Sequence, residues 1–214
     1  TLTAPGNGSV TFSSGTPTAD SNLFAIPNKS GKALTPDTTS NDVDHDIEVT
    51  FAADASFEAA ITEVSFNGHT LTANQYIVSS GKVTLKPSNA DNTYLRTSAT
   101  GNVVITATGY NNSTVAQTIT AGTVASLIVS TQPVPGAASG TLFATQPVVT
   151  LKDQYNNTCS IGPSATANVV ATAKAGSGTW TIGGTTTKVA VAGVATFTDL
   201  SCTLTAPGNG SVTF

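Results

Sequence analysis

The sequence predicts an all-β chain of two β-sandwich-like modules in tandem, with one short helix in the first. Three observations predict it. Thr, Ser, Val, Ala and Gly dominate the composition, and Thr and Val, stiff at the first side-chain torsion, suit strands. Short alternating runs recur between Gly, Pro and Asn turns along most of the chain. The chain also ends on the words it begins with, since Thr1–Phe12 and Thr203–Phe214 both read TLTAPGNGSVTF. The two copies are 202 residues apart and carry no substitution. That spacing is too long for a solenoid unit of about 20–50 residues. It fits slightly more than one period of a tandem array in which each period holds two ordinary domains.

Composition narrows the function. Hydrophobic residues make up 39 % and charged residues 9 %, with a net charge of −4. Such a chain buries a core and is not disordered. Eight Lys and Arg against twelve Asp and Glu leave no basic patch for phosphates, so nucleic acid is not an expected partner. No apolar run approaches about 20 residues, so membrane insertion is not expected. Met is absent and only two Cys occur, which suits an oxidising, exposed location.

Residues 1–14 read as a terminal strand, and 15–34, with GTPTADSN and two further breakers at Pro27 and Gly31, as a linker. The first module covers 35–122. In IEVTF, Ile47, Val49 and Phe51 alternate as on a half-buried strand. ADASFEAAI is the helix, capped by Asp54, with Phe57, Ala60 and Ile61 on one face. TEVSF ends in Asn67-Gly68, a pair that tolerates the positive φ of a tight hairpin, so HTLTA folds back antiparallel. QYIVS and KVTLKP repeat the pattern around Ser80-Gly81. GNVVITATGY and STVAQTIT supply two more strands, with Val103, Ile105 and Ala107 inward, or the opposite set. The second module covers 123–214: ASLIVSTQP, QPVVTLKDQYNN, TANVVATA, GTWTIGG, TKVAVAG, VATFTDL and NGSVTF. Seven or so short strands at this spacing predict an immunoglobulin-like sandwich, with Trp180 as a core or core-edge anchor. This module holds its own TLTAPGNGSVTF strand. The copy at 1–14 is therefore surplus, belongs to a preceding sandwich, and is expected to seek an edge in a neighbouring chain.

DHDIEVTF, ADASFEAAITEVSFNGHTLT, YIVSSGKVTLKP and VVITATGYNNSTVAQTI make residues 41–121 resemble the bacterial hemoglobin-interacting domain, also known as a domain of unknown function. LFATQPVVTLKDQYNN and VAVAGVATFTDL make 123–214 resemble bacterial immunoglobulin-like surface repeats. The resemblance implies a large extracellular protein of the bacterial cell surface: a stalk, S-layer or fibre, or an adhesin.

Asp42, Asp44 and Asp46 stand at alternate positions. On a strand they share one face that could offer oxygens to calcium; the alternative is a solvated turn or strand edge, and apart from calcium no cofactor is expected. His45 and His69 lie in polar surroundings and read as exposed turn residues. Cys159 and Cys202 are expected to pair as a disulfide in an oxidising location, closing a loop worth about 4 kcal/mol. No nucleophile sits in an elbow with a base beside it, and Asp54, Glu58 and Glu63 fit a capped helical turn, so no catalytic residue and no enzyme is expected. N-x-S/T motifs at Asn7, Asn28, Asn111, Asn112, Asn156 and Asn209 mark surface positions open to sugar.

Two functions follow. The leading one is a structural repeat unit of an extracellular surface protein, whose partners are neighbouring copies of itself. The alternative is an adhesin or ligand-binding module that recognises a host protein, haem or glycan. A concave apolar site around Phe66, Tyr76 or Tyr94 would favour binding.

Overall fold

The computed structural model describes residues 6–13, 18–89, 93–174, 179–206 and 209–214. It is all-β apart from one short helix. The chain divides into two compact units, Thr1–Asn41 with His45–Ile119, and Asp42–Asp44 with Thr120–Phe214.

The first unit opens on β1 (Gly6–Gly8), β2 (Thr11–Ser13), β3 (Thr18–Asp20) and β4 (Phe24–Ile26). These form two antiparallel ladders, with Gly8 opposite Phe24 and Thr11 opposite Asp20. The terminal strand was expected to reach into another chain. Its described part instead pairs within its own chain, because the nearest complementary strand satisfies its backbone groups. The expected linker is likewise tied down. Lys29 exchanges backbone bonds with Gly109 and Asn111 at 2.9 Å, and β5 (Leu34–Thr35) joins a sheet.

That sheet runs β5, β6 (Ile47–Phe51), β10 (Lys82–Leu85), β9 (Tyr76–Ser79). A second runs β12 (Ser113–Ile119), β11 (Ala99–Ala107), β7 (Ile61–Phe66), β8 (His69–Thr70). Alternation decides the faces. Ile47, Val49 and Phe51 point inward from β6, and Val103, Ile105 and Ala107 from β11. Helix α1 (Ala55–Ala60) starts where the Asp54 side chain accepts from the Ser56 and Phe57 amides. It buries Phe57 completely, edge-on to Phe51 and Tyr110 with ring centroids 5.4 and 5.1 Å away. Gln117 on β12 is fully buried. Its amide donates to the Asp37 carbonyl and accepts from the Asp37 amide, both at 2.9 Å, which pins the approach to β6.

In the second unit, β13 (Val124–Thr131), β14 (Val148–Asp153) and β19 (Val194–Thr196) form one sheet with β14 central. Three two-stranded ladders accompany it: β15 (Asn168–Val170) with β18 (Thr187–Val189), β16 (Thr172–Lys174) with β21 (Ser211–Thr213), and β17 (Trp180–Gly183) with β20 (Ser201–Leu204). The run read as one strand, TANVVATA, is two. Ala171 breaks it, donating to the Thr186 carbonyl, and the chain changes partner there. Phe143, Val149, Leu151, Val169, Ala195, Phe197 and Leu200 fill the core. Buried Asp153 accepts from the amides of Gly122, Tyr155 and Asn157 and so anchors the turn after β14. Trp180 is nearly buried and its indole N–H donates to the Lys174 carbonyl, a core-edge anchor as expected.

Candidate functional site

The strongest candidate lies at one end of the first unit, where β7 turns into β8. Asn67 and Gly68 both take positive φ, 49° and 81°, as a tight two-residue hairpin requires. The turn is held from beside it. The Asn67 amide donates to the Asn102 carbonyl. Gly101 lets the Asn67 side chain lie so close that an added Cβ would stand 2.6 Å from it. The hairpin therefore presents His69 from a fixed backbone, opposite Phe66.

A second segment meets it. Leu95 is fully buried and ties down the loop before β11. The Arg96 guanidinium donates to the carbonyls of Pro87 and Ser88 at 3.0 Å, and the Thr97 hydroxyl to that of Thr93. With its neighbours fixed, Tyr94 is held outward and remains 45 % exposed. Its ring stacks on the imidazole of His69, centroids 3.7 Å apart and planes within 10°. Phe66, Asn67, His69, Tyr94, Thr97 and Ala99 line a shallow hollow of about 210 Å³. A rigid aromatic pair with polar edges and an exposed face is what protein interfaces use as an anchor. The hollow is smaller than the roughly 300–1,000 Å³ of small-molecule pockets.

Of the three aromatic residues singled out from the sequence, Phe66 and Tyr94 line this hollow. Tyr76 instead pairs with Leu85 across β9 and β10. His69 is exposed, as expected, and so is His45, which sits in a bend. The stacking of His69 on Tyr94 had no sequence signal, since nothing local links residues so far apart along the chain.

The carboxylate and cysteine expectations fare differently. Residues 42–46 form a bridge and a turn, not a strand, so the alternation that would put three carboxylates on one face does not exist. Asp42 is buried and accepts from the Asp44 amide. Asp44 accepts from the Thr123 amide and the Gln154 side chain. Asp46 pairs with Lys86 at 3.4 Å. Among the described residues no group of three or more His, Cys, Asp or Glu is placed to hold a metal ion. Both cysteines are free thiols here, so the expected pairing is not made. Cys159 is buried against the Gly122 carbonyl, and burial, with the nearby Asp153 and Asp44 charges, raises its pKa. Cys202 is half-buried on β20 opposite Ile182.

A larger cavity, about 380 Å³, opens in the second unit beside Trp180. Among the described residues, no helix is long and apolar enough to cross a membrane. No curated protein matches the chain. Residues 34–120, less than half of the chain but nearly all of the first unit's two main sheets, match the family described as heme-binding protein Shr-like, Hb-interacting domain.

Proposed function

We propose that this chain is a binding module of an extracellular bacterial surface protein, and that its first unit recognises a host haem protein, hemoglobin before others. One observation carries the reading: the match of residues 34–120 to a hemoglobin-interacting domain family. The geometry supports it in a specific form. The hollow beside His69 and Tyr94 is too small to take a haem, while the stacked pair is held outward on fixed backbone. The unit therefore grips the globin surface rather than extracting haem into a pocket. This role is binding and not catalysis.

The test is direct binding of the full chain to hemoglobin by interferometry, beside free hemin. Hemoglobin should bind saturably, and hemin should not compete. His69→Ala and Tyr94→Ala should each weaken binding tenfold or more, as truncation of an interface anchor does. A folded chain that ignores hemoglobin refutes the reading. Binding that survives both substitutions unchanged moves the site elsewhere.

A second reading, a repeat unit of a surface array, is favoured by the identity of residues 1–12 and 203–214. The two are compatible, since an array can carry a binding unit in each period. In that reading the second unit is an immunoglobulin-like spacer.

A further inference from the structure

Asn-Gly is the dipeptide most prone to spontaneous deamidation, and the fold sets one at the base of the stacked pair, as Asn67-Gly68. The backbone nitrogen of Gly68, once its proton passes to hydroxide, can bond to the side-chain carbon Cγ of Asn67. The bond from Cγ to the side-chain nitrogen then breaks, and that nitrogen takes a proton from water and leaves as ammonia. A five-membered succinimide remains. Water opens it at either carbonyl, giving aspartate, or isoaspartate with Cβ and Cγ now in the main chain. A side chain on the following residue hinders ring closure. Here that residue is glycine, and no atom lies within 4 Å of the place its Cβ would take.

The closed turn forbids this step. Ring closure needs the Asn67 Cβ eclipsed with the Gly68 nitrogen about the Cα–C bond. Asn67 has φ 49°, in the left-handed region where ψ is about +47°. In an L-residue Cβ is offset from the backbone nitrogen by about a third of a turn about that bond. Cβ therefore stands nearly anti to the Gly68 nitrogen, and no rotamer brings Cγ to it. Reaction requires ψ to swing by almost half a turn. Backbone bonds oppose the swing: the Asn67 amide donates to the Asn102 carbonyl at 2.9 Å, and Phe66 pairs with His69 across the turn. The side chain is seated as well. It rests on Gly101, buried on β11, where an added Cβ would stand 2.6 Å from the Asn67 Cβ and 3.0 Å from its Cγ. Only glycine permits so close an approach.

We propose that Asn67 is a guarded modification site: the left-handed turn, seated on Gly101, keeps it from deamidating, and opening of the turn commits it to a reaction that disables the stacked pair. Isoaspartate lengthens the main chain of a two-residue loop, and loop length fixes the register of a hairpin. His69 then no longer stands opposite Phe66, and its stack on Tyr94 is lost. The change does not reverse, so the frequency of local opening sets the working life of the site. The loss of grip rests on the hemoglobin reading, whereas the protection of Asn67 does not.

The full chain is held at mildly alkaline pH, folded and in urea, and peptide mass spectrometry follows each Asn-Gly pair. In urea Asn67 should react at the rate of the other two, Asn7-Gly8 and Asn209-Gly210. In the folded chain Asn67 should react about tenfold more slowly or better. Gly101→Ala, checked for folding by circular dichroism, should raise the folded rate about threefold or more; the comparison of folded chain with urea decides without it if that variant does not fold. In a background of Asn7→Gln and Asn209→Gln, chain carrying isoaspartate at 67 is isolated from urea and refolded. Nuclear magnetic resonance should show the His69 and Tyr94 rings unstacked, and hemoglobin binding should weaken about tenfold or more. Asn67→Asp adds the charge without lengthening the chain and still accepts a positive φ, so it should keep the stack. Equal Asn67 rates in folded chain and urea, a folded Gly101→Ala variant no faster than the parent, or a stack that survives isoaspartate would each overturn the inference. A parent chain that ignores hemoglobin would instead defeat the hemoglobin reading, with the rates and the stack still deciding the role of Asn67.

Discussion

Gln117→Met isolates one buried amide that holds the entry to the first unit. Met nearly matches Gln in shape, so packing is kept while the polar group goes. The substitution strips the Asp37 amide of its acceptor and the Asp37 carbonyl of its donor, both 2.9 Å away. Each unsatisfied buried group costs about 1–3 kcal/mol. Asp37 is half-buried, so water recovers part of this, and the greater apolarity of Met offsets a little more. A net loss of about 2 kcal/mol remains, a large share of a domain stability of roughly 5–15 kcal/mol. With a urea slope of about 1–3 kcal/mol per molar, the unfolding midpoint falls by about 1 M. Urea denaturation followed by circular dichroism reads the midpoint. Hydrogen exchange at the Asp37 amide reads the lost bond itself, and its protection should disappear. A midpoint within about 0.2 M of the parent, or an Asp37 amide that stays protected, would show that Gln117 does not bridge these segments.

Acid should destabilise the chain through three carboxylates. Burial pushes the Asp37 pKa up, but the amides of Thr39, Ser40 and Glu48 outweigh it, so the folded value lies below 3.8. Asp54, through Lys32 and the helix amides, and Asp199, through Thr185, are also lowered. Groups lowered on folding stabilise above the unfolded pKa and lose that contribution as pH falls through the folded one. Stability should therefore be flat from neutral pH down to about 4 and decline below it. Asp37→Asn should flatten the decline, and a decline that begins near pH 6 would contradict this assignment. Iodoacetamide at pH 8 should alkylate Cys202 before Cys159, whose thiol is buried and raised in pKa, with Cys159 reacting only in urea; equal rates by mass spectrometry would count against the placement of Cys159. Gly210→Ala should destabilise the second unit by about 1–3 kcal/mol, since the added methyl meets the Trp180 ring, and a thermal midpoint equal to the parent's would argue against that contact.

What the sequence made legible was local. The alternation in IEVTF, the Asp54 cap and the Asn67-Gly68 turn each depend on residues within a few positions, and each forms as expected. What stayed hidden depends on partners far along the chain. The break at Ala171 comes from a change of partner strand, from β18 to β21, and no turn residue announces it. The polar role of Gln117 needs Asp37, eighty positions away. The period-two spacing of Asp42, Asp44 and Asp46 predicted a shared face only if the backbone were extended, and the turn there removes that condition. For the candidate site, the aromatic residues Phe66 and Tyr94 could be named in advance. Their meeting with His69 required the buried Leu95 and the Arg96 clamp, which only the fold brings together.

If the first unit grips the surface of a haem protein as proposed, the stacked His69 and Tyr94 lie in the contact. Titrating the full chain with hemoglobin while observing both side chains by nuclear magnetic resonance tests it most directly. Saturable shifts of the His69 and Tyr94 ring signals are expected, with resonances of the second unit's core left in place. Binding without change at these two rings, or no binding at all, would contradict it.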